Sequence, residues 1–257
     1  MAFRGEKDAT KDVDLILEAP EHADELGGAL QALGFEINIQ PPMECRSLSD
    51  AKIPTVSRGM RVDIFVKKVC GKLVFSEGMK SRSERYGDVG NLSLSICSRE
   101  DIFLLKSVTE RSRDLDDMVV LYRKGIDKVT LLGECQLQGK YDAILGGRIW
   151  ETFLLQKIEE MEDAYSISVP WKGELRRIAR QKLETRLVID CIVRNVNTVQ
   201  SLAKELNMAE PAIRLIVRRL ENGGLVFVDR EMRPNTITIN RACDEYGTVM
   251  VEQPLSQ

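Results

Sequence analysis

The chain has 257 residues, of which 43% are hydrophobic and 30% are charged. This length and apolar content are enough for one large or two small folded domains, and they exclude a disordered tail and a fibrous protein. Because 37 Lys and Arg stand against 40 Asp and Glu, the formal net charge is only -3, and a surface that binds a polyanion has to be local.

The cysteines, the histidine and the hydropathy pattern exclude several other classes. The six cysteines form no Cys-x-x-Cys pair and His22 is the only histidine, which disfavours a zinc site, a disulfide framework and histidine-based hydrolysis. No stretch approaches the roughly 18 uncharged apolar residues of a membrane span, and the N-terminus has no signal-like apolar segment. We therefore expect a cytoplasmic protein that has no membrane partner and whose chemistry would rest on carboxylates.

The first 125 residues mix strand and helix patterns. Strict alternation is typical of a half-buried strand, whereas apolar residues three and four apart indicate a helix. The predicted segments, in chain order, are strand 13–17, helix 20–33, strands 35–39, 61–67, 73–77 and 92–96, and helices 98–109 and 114–124. Ser98 is expected to cap its helix, with Asp101 at the third position. We predict an α+β fold whose N-terminal domain contains a mixed sheet.

Three carboxylates lie on these strands or beside them. Asp12 and Asp14 are two positions apart on one strand and so share a face, roughly 6–7 Å apart. Asp63 lies inside an apolar strand, where an unpaired charge is destabilising. Such oxygen ligands suit a hard cation such as Mg²⁺ together with substrate phosphates. The alternative is that Asp12 and Asp14 line the solvated face of an edge strand and that Asp63 pairs with a nearby Arg or Lys.

Four sequence blocks occur in a recognisable order. They are Phe3–Leu15, which contains Arg4-Gly5 and Thr10-Lys11-Asp12-Val13-Asp14, then Val62–Phe65, Ser98–Lys106 and Arg113–Met118. In this order they resemble the polymerase-beta-like nucleotidyltransferase superfamily, and more narrowly its small prokaryotic branch that includes the nucleotidyltransferase toxins of type IV toxin–antitoxin systems. The resemblance implies a nucleotidyltransferase-like domain over residues 1–125.

The resemblance also implies a role for each candidate residue. Asp12 and Asp14 would be the first metal-binding pair for Mg²⁺, and Asp63 the third carboxylate, which would also deprotonate the acceptor hydroxyl. Lys106 would contact the triphosphate of the NTP, and Asp114 would close the pocket or orient Lys106. The alternatives are an ordinary solvated helix lysine at Lys106 and a helix N-cap at Asp114.

Other residues near these blocks give weaker indications. Asp117 is expected on a helix surface, and Arg111 and Arg113 are further candidates for holding phosphate. In the family, a strand ending in Gly-Gly or Gly-Ser precedes the segment that matches Arg4–Asp14, and its backbone amides hold the triphosphate. This sequence begins at Met1, beyond that position. Either the true start lies upstream, or the protein lacks the phosphate-holding turn and keeps the fold without the reaction.

The second half of the chain is mostly helical and carries the positive charge. Residues 126–180 are expected to form a helical bridge, with its clearest helix at 143–162 and an interruption near 166–173. Residues 172–241 hold 14 Lys and Arg against 8 Asp and Glu, a net charge of +6. We therefore expect a basic module attached to an acidic body.

Residues 181–242 have the pattern of a winged helix-turn-helix domain. One apolar-faced helix precedes a second at 199–206, which Thr198 caps. A third helix has Pro211 in its first turn and ends at Gly223-Gly224, and a hairpin with strands 225–228 and 236–239 follows. This pattern resembles the prokaryotic winged-helix regulators over about 60 residues.

In that class the third helix enters the major groove of DNA and the hairpin, or wing, lies along the backbone. The resemblance therefore assigns to nucleic acid five arginines, which are Arg214, Arg218 and Arg219 on the third helix and Arg230 and Arg233 near phosphates at the wing. Glu210, Glu221 and Glu231 dilute this basic patch. The alternatives are that the arginines only solubilise the helix, or that the module mediates dimerisation or docking.

Two functions from different classes remain open. The first is a Mg²⁺-dependent nucleotidyltransferase that moves a nucleoside monophosphate from an NTP to a hydroxyl of a tRNA, a protein or a small molecule, positioned on nucleic acid by the winged helix. The second is a non-catalytic DNA-binding regulator, or a toxin–antitoxin component, that keeps the nucleotidyltransferase fold as a sensing or dimerising body. A phosphate-ester hydrolase is disfavoured because its sites are usually rich in histidine. The chain would act as a monomer or a homodimer.

Overall fold

The structure is a computed structural model that describes residues 1–5, 12–37, 55–57, 60–90, 92–109, 111–142 and 147–240. This described part is mixed α+β with small sheets, which confirms the expected fold class at a coarse level. The chain divides into two compact units. The first unit consists of Met1–Gln138 and Gln156–Val169, and the second of Gly139–Leu155 and Pro170–Gln257.

The described strands of the first unit form a four-stranded sheet and two small hairpins. Their bounds are β1 Asp12–Leu17, β2 Glu36–Ile37, β3 Thr55–Ser57, β4 Met60–Val66, β5 Lys68–Val69, β6 Leu73–Val74, β7 Glu84–Val89 and β8 Leu92–Ile96. The sheet has the order β1-β4-β3-β2, in which β1 and β4 are parallel and the other neighbours antiparallel. The hairpins pair β5 with β6 and β7 with β8.

Helices surround these strands, and one of them continues from the second unit into the first. Their bounds are α1 Pro20–Ala32, α2 Glu77–Arg82, α3 Arg99–Ser107, α4 Ser112–Arg123, α5 Lys128–Gln138 and the shared helix α6 Trp150–Tyr165. The predicted cap of α3 is confirmed, because the Ser98 hydroxyl accepts a hydrogen bond from the Asp101 amide at 3.1 Å. The expected domain boundary between residues 125 and 126 falls between α4 and α5, which both belong to the first unit.

One face of the β1–β4 pair is apolar and packs against α1. The register pairs Val13 with Val62 and Leu15 with Ile64, so both strands turn the same alternate side chains toward the helix. The apolar residues in this cluster are Val13, Leu15 and Leu17 of β1, Val62, Ile64 and Val66 of β4, and Ala23, Leu26 and Leu30 of α1. The intervening positions of both strands therefore project from the opposite face.

A buried polar network joins α2, α3 and α5. Arg82 donates to both carboxylate oxygens of Asp101, at 2.7 and 3.2 Å, and to Oε2 of Glu134 at 2.6 Å. Ser76 and Gln138 donate to the other Glu134 oxygen, at 2.8 and 2.9 Å. Asp101 and Glu134 are buried, and each of their carboxylate oxygens receives a donor. The network therefore ties the three helices to one another.

One strand prediction for the first unit needs correction, and three strands, β3, β5 and β7, were not predicted. The strand predicted at 73–77 is limited to β6, because the Ser76 hydroxyl accepts the Met79 amide and Glu77 begins α2. Strand β7 has no counterpart among the predicted strands, because its sequence is mostly polar and shows no apolar alternation. The Ser76 cap thus starts a helix where the strand was predicted to continue, and pairing with β8 makes residues 84–89 a strand.

Two other predicted segments are only partly described. The strand predicted at 35–39 corresponds to β2, and its residues 38 and 39 lie outside the described part. The helix predicted at 143–162 corresponds to α6, which begins at Trp150, and residues 143–146 lie outside the described part. Residues 241 and 242, at the end of the predicted C-terminal domain, also lie outside it.

Three helices and a hairpin form the described C-terminal part of the second unit. Their bounds are α7 Lys172–Val193, α8 Val199–Glu205, α9 Glu210–Asn222, β9 Val226–Asp229 and β10 Thr236–Ile239. The boundary expected between residues 180 and 181 falls inside α7, which is continuous over 22 residues. Thr198 caps α8 as predicted, in a capping box with Ser201. No helix in the described ranges combines the length and the hydropathy needed to cross a membrane.

Apolar residues at helical spacing explain how the second unit packs. On α9 the buried residues Ile213, Ile216, Val217 and Leu220 recur three and four apart. They form one cluster with residues of α7, α8 and the hairpin, which include Val188, Ile192, Leu202, Val226 and Ile237. The opposite face of α9 carries the exposed side chains Arg214, Leu215, Arg218 and Arg219. The same spacing that buries one side of α9 thus presents its arginines to solvent.

Candidate functional site

The three predicted carboxylates lie on the face of the β1–β4 pair that is turned away from α1, which we call the open face; Asp14 is exposed there, whereas Asp63 is buried. The parallel register places Asp14 directly beside Asp63 and Asp12 beside Arg61, so all four side chains belong to the face that is turned away from α1. β1 is one of the two edge strands of the described sheet. The sheet therefore brings Asp14 and Asp63 together, although they are far apart in the sequence.

Two of these carboxylates are already paired with arginines. Arg61 donates from Nε to Oδ1 of Asp63 at 2.7 Å, and Nη1 of Arg113 lies 3.4 Å from Oδ2 of Asp12. The alternative interpretation of Asp63, a carboxylate paired with a nearby arginine on an apolar strand, is thus confirmed as a contact. These two ion pairs offset two of the three negative charges. Arg113, which was a candidate for holding phosphate, lies beside the Asp12 carboxylate.

Asp14 carries the clearest electrostatic signal of the site. Burial is the main cause that raises its pKa above the ordinary value, and the negative charge of Asp63 raises it further. Lys106 and Arg111 act in the opposite direction and lower the pKa. Because the residue still has an exposed surface, solvent moderates the shift. A carboxylate whose pKa is raised beside a second carboxylate is a favourable place for a cation.

Lys106 and Asp114 lie together next to this face. Nζ of Lys106 is 2.9 Å from Oδ1 of Asp114 and 2.7 Å from Oδ2 of Asp117, and the Thr109 hydroxyl donates to Oδ2 of Asp114 at 2.6 Å. Burial, the largest influence, lowers the pKa of Lys106, but the two carboxylates together outweigh it and raise the pKa. The ammonium group is therefore positively charged, and its position is fixed by two carboxylates.

These contacts correct three interpretations of the sequence. Lys106 is not an ordinary solvated lysine, because its side chain is only 20% exposed and doubly ion-paired. Asp114 is not an N-cap, since α4 begins at Ser112 and Arg111 occupies the cap position. Asp117 was expected on the helix surface, yet it is buried and binds Lys106. A carboxylate three residues after Asp114 lies on the same side of a helix, and this spacing could have indicated Asp117.

The donor set of the open face suits magnesium. Mg²⁺ prefers oxygen ligands and is commonly held by one or two carboxylates together with substrate phosphates. The neighbouring carboxylates of Asp14 and Asp63 satisfy that requirement, with Asp12 on the same strand face. Within the described residues, no group of three His, Cys, Asp or Glu side chains is close enough to hold one metal ion by itself.

A groove of about 630 Å³ lies between α9, the start of α8 and the β9–β10 hairpin. We call it the α9 groove. Its lining includes Arg214, Arg218 and Arg230, together with Glu221. Arg219 and Arg233 are exposed but do not line it. The structure thus brings three of the five predicted arginines to one concave surface.

Two of the groove arginines hold glutamates of α9. Nη2 of Arg214 lies 2.8 Å from Oε2 of Glu210, one helical turn away. Arg230 donates from Nη1 and Nη2 to the two carboxylate oxygens of Glu221, at 2.7 and 2.8 Å. The hydrogen bonds from Arg230 are the main cause that lowers the pKa of Glu221, so this carboxylate is ionised at neutral pH.

Sequence reasoning did not name Arg61 as the partner of Asp63, and it missed the pairing of Glu221 with Arg230. Arg61 stands two positions before Asp63, and this strand spacing could have predicted their pairing. No local spacing links Glu221 to Arg230, because the hairpin brings them together. A scan against models of protein families and a search of curated proteins each found no match.

Proposed function

We propose that the chain is a Mg²⁺-dependent nucleotidyltransferase that transfers a nucleoside monophosphate from an NTP to a hydroxyl acceptor and is positioned by nucleic-acid binding in its second unit. The supporting observation is the parallel pairing that places Asp14 beside Asp63 on the open face of the sheet, with Asp12 on the same strand face. The nucleotidyltransferase-like fold of residues 1–125, the bridge at 126–180 and the winged helix at 181–242 are part of this proposal.

The reaction would use the carboxylates on the open face. Asp12, Asp14 and Asp63, together with phosphate groups of the NTP, would hold Mg²⁺, which would supply positive charge against the triphosphate. Asp63 accepts the proton of the acceptor hydroxyl, whose oxygen forms a new bond to the α-phosphorus. The bond from the α-phosphorus to the bridging oxygen breaks, and pyrophosphate leaves. The acceptor is a hydroxyl of a tRNA, a protein or a small molecule.

Lys106 would bind the leaving part of the triphosphate. Asp114 and Asp117 hold its ammonium group between them, so little side-chain freedom remains to be lost when an anion binds. The charge of Lys106 also acts on Asp14, which places the two groups within electrostatic reach. The proposed phosphate-binding cation and the proposed metal-binding carboxylate are thus within electrostatic reach of each other, which supports a role in phosphoryl transfer.

A second function is favoured by a different observation. Arg61 and Arg113 already neutralise Asp63 and Asp12, and an internally paired site is what a sensing or scaffolding domain would keep. The second candidate is therefore a non-catalytic nucleic-acid-binding regulator, which would use the α9 groove alone. The two candidates differ in whether Asp12 and Asp14 are required for any measurable activity.

The test is transfer of label from nucleotide to acceptor. We expect the purified chain, incubated with Mg²⁺, each α-labelled NTP and bulk tRNA, protein or small-molecule hydroxyls, to give labelled product. Asp12→Asn and Asp14→Asn should each lower the rate by at least about 100-fold, because each removes a ligand that stabilises the developing charge. Asp24→Asn, an exposed acid on α1, is the matched control and should retain the full rate.

Two outcomes would contradict the enzyme. One is the absence of product with every nucleotide and acceptor, together with an unfolding temperature that Mg²⁺ and NTP leave unchanged. The other is a transfer rate that Asp12→Asn and Asp14→Asn do not alter. The first result, combined with retained nucleic-acid binding, would favour the regulator, and the second would mean that the transfer does not use these carboxylates.

A further inference from the structure

The contact between Glu221 and Arg230 resembles the contact that an arginine makes with a bound phosphate. The guanidinium group presents two nitrogens to the two oxygens of one carboxylate, the same fork with which arginine binds a phosphate. Both side chains line the α9 groove. The positive charge of Arg218 also lowers the pKa of the Glu221 carboxylate. Glu221 is therefore an anion held by Arg230 and within electrostatic reach of Arg218.

We infer that Glu221 is an internal competitor of nucleic-acid phosphate, and that it sets the affinity and the salt dependence of the α9 groove. The inference rests on the proposed binding of nucleic acid by the second unit. It assigns to Glu221 a role as a positioning residue that acts through Arg230. Arg230 has to break its hydrogen bonds to Glu221 before it can contact a phosphate.

The competition has a measurable consequence for counterions. A free arginine that binds phosphate allows one condensed cation to leave the nucleic acid, which steepens the salt dependence by about 0.9 in logarithmic slope. When Arg230 moves from Glu221 to a phosphate, the exposed Glu221 carboxylate attracts a cation from solution. The binding of this cation offsets the cation that the nucleic acid releases. The wild-type chain is therefore expected to have a flatter salt dependence than its arginine content would give.

A purely structural role for this ion pair predicts the opposite result. If Glu221 and Arg230 only fasten the β9 end of the hairpin to α9, removal of the carboxylate loosens the groove and weakens binding. If Glu221 competes with phosphate, its removal strengthens binding. The exposed fractions of the two side chains, 28% for Glu221 and 64% for Arg230, leave the arginine free to turn toward a ligand.

The experiment compares Glu221→Gln with the wild type and with a matched control. Glu231→Gln makes the same change of charge in the segment between β9 and β10, and the Glu231 side chain forms no ion pair within residues 147–240 as described. Binding to a labelled mixed-sequence DNA duplex is measured by fluorescence anisotropy from 50 to 200 mM salt. We expect Glu221→Gln to bind about three- to tenfold more tightly at 50 mM, and this advantage to shrink roughly threefold by 200 mM. Glu231→Gln should change the affinity less than about twofold.

Two further measurements separate this inference from the proposed function. In the variant that combines Glu221→Gln with Arg230→Gln, the gain in affinity should disappear, since no freed arginine remains. On immobilised heparin, Glu221→Gln should elute at higher salt than Glu231→Gln. If no variant binds the duplex but Glu221→Gln still elutes from heparin at higher salt than Glu231→Gln, the proposed nucleic-acid binding is wrong, and Glu221 competes with the anionic groups of another polyanion. If Glu221→Gln binds no more tightly than Glu231→Gln on both polyanions, the competition is overturned.

Discussion

The open face of the first unit and the α9 groove of the second differ in how exposed their ion pairs are. Lys106 is fixed between two carboxylates, and its own side chain is only one-fifth exposed. Arg214 and Arg230 are more than half exposed, and each holds a glutamate at the surface. Opening a buried pair leaves a poorly solvated charge, whereas an exposed pair exchanges partners at little free-energy change. Fixed charges suit a reaction centre, and exchangeable charges suit reversible binding of a polyanion.

The largest expected effect is in the buried network of the first unit. Arg82→Met removes the donor shared by Asp101 and Glu134, which leaves two buried carboxylates without their cation. We expect the free energy of unfolding, measured by urea denaturation, to fall by about 3–5 kcal/mol. Arg85→Met removes an exposed ion pair with Asp88 and should lower it by less than about 1 kcal/mol. Equal losses for the two variants would remove the distinction between buried and exposed pairs.

An intermediate effect is expected at the α9 groove, on binding rather than on folding. The double variant Arg214→Ala with Arg218→Ala should weaken DNA retention about tenfold at low salt and flatten the logarithmic salt slope by up to about 2. Its free energy of unfolding should change by no more than about 1 kcal/mol, because both side chains are exposed. Arg180→Ala on α7, outside the groove lining, is the control. If the double variant and this control retain DNA equally, the groove is not the binding surface.

The smallest expected effect concerns the stability contributed by Asp14. A raised pKa means that the folded chain holds this proton more tightly than the unfolded chain, so the ionised form destabilises the fold above the ordinary pKa of 3.8. Asp14→Asn should therefore raise the unfolding temperature at pH 7 by about 1–2 °C, a small change because solvent moderates the shift. The difference should narrow as the pH falls toward 4. Thermal unfolding followed by circular dichroism measures it.

The control for this last comparison is Asp24→Asn, an exposed acid on α1. It should not change the unfolding temperature at either pH. A lower unfolding temperature for Asp14→Asn at pH 7 would mean that the carboxylate is a stabilising partner in the folded chain. In that case Asp14, like Asp12 and Asp63, would have a cationic partner within the chain.

Local rules predicted those parts of the fold that depend on neighbours in sequence. The Ser98 cap, the Thr198 cap and the buried stripe of α9 follow from hydrogen bonds and spacing within one turn of helix. The start of α4 was missed because a tertiary ion pair with Lys106 takes Asp114 away from the cap position. A propensity rule cannot include a partner that comes from another helix.

The candidate sites show the same limit. The spacing of Asp12 and Asp14 predicted a shared strand face, but the pairing with Asp63 depends on the parallel register with β4. In the second unit, Glu210 and Arg214 are four residues apart and their pair could be predicted, whereas the pair of Glu221 and Arg230 requires the hairpin. Contacts between distant segments decide which charges are free, and sequence patterns do not contain them.

The parallel pairing of β1 with β4 makes the open face depend on a contact between segments that are distant in sequence. Asp14 and Asp63 are separated by 49 positions, so they meet only after a long loop has closed. During synthesis, a nascent chain that has not yet released β4 carries Asp12 and Asp14 without their neighbour. Truncated or stalled chains that lack β4 would therefore lack the assembled face.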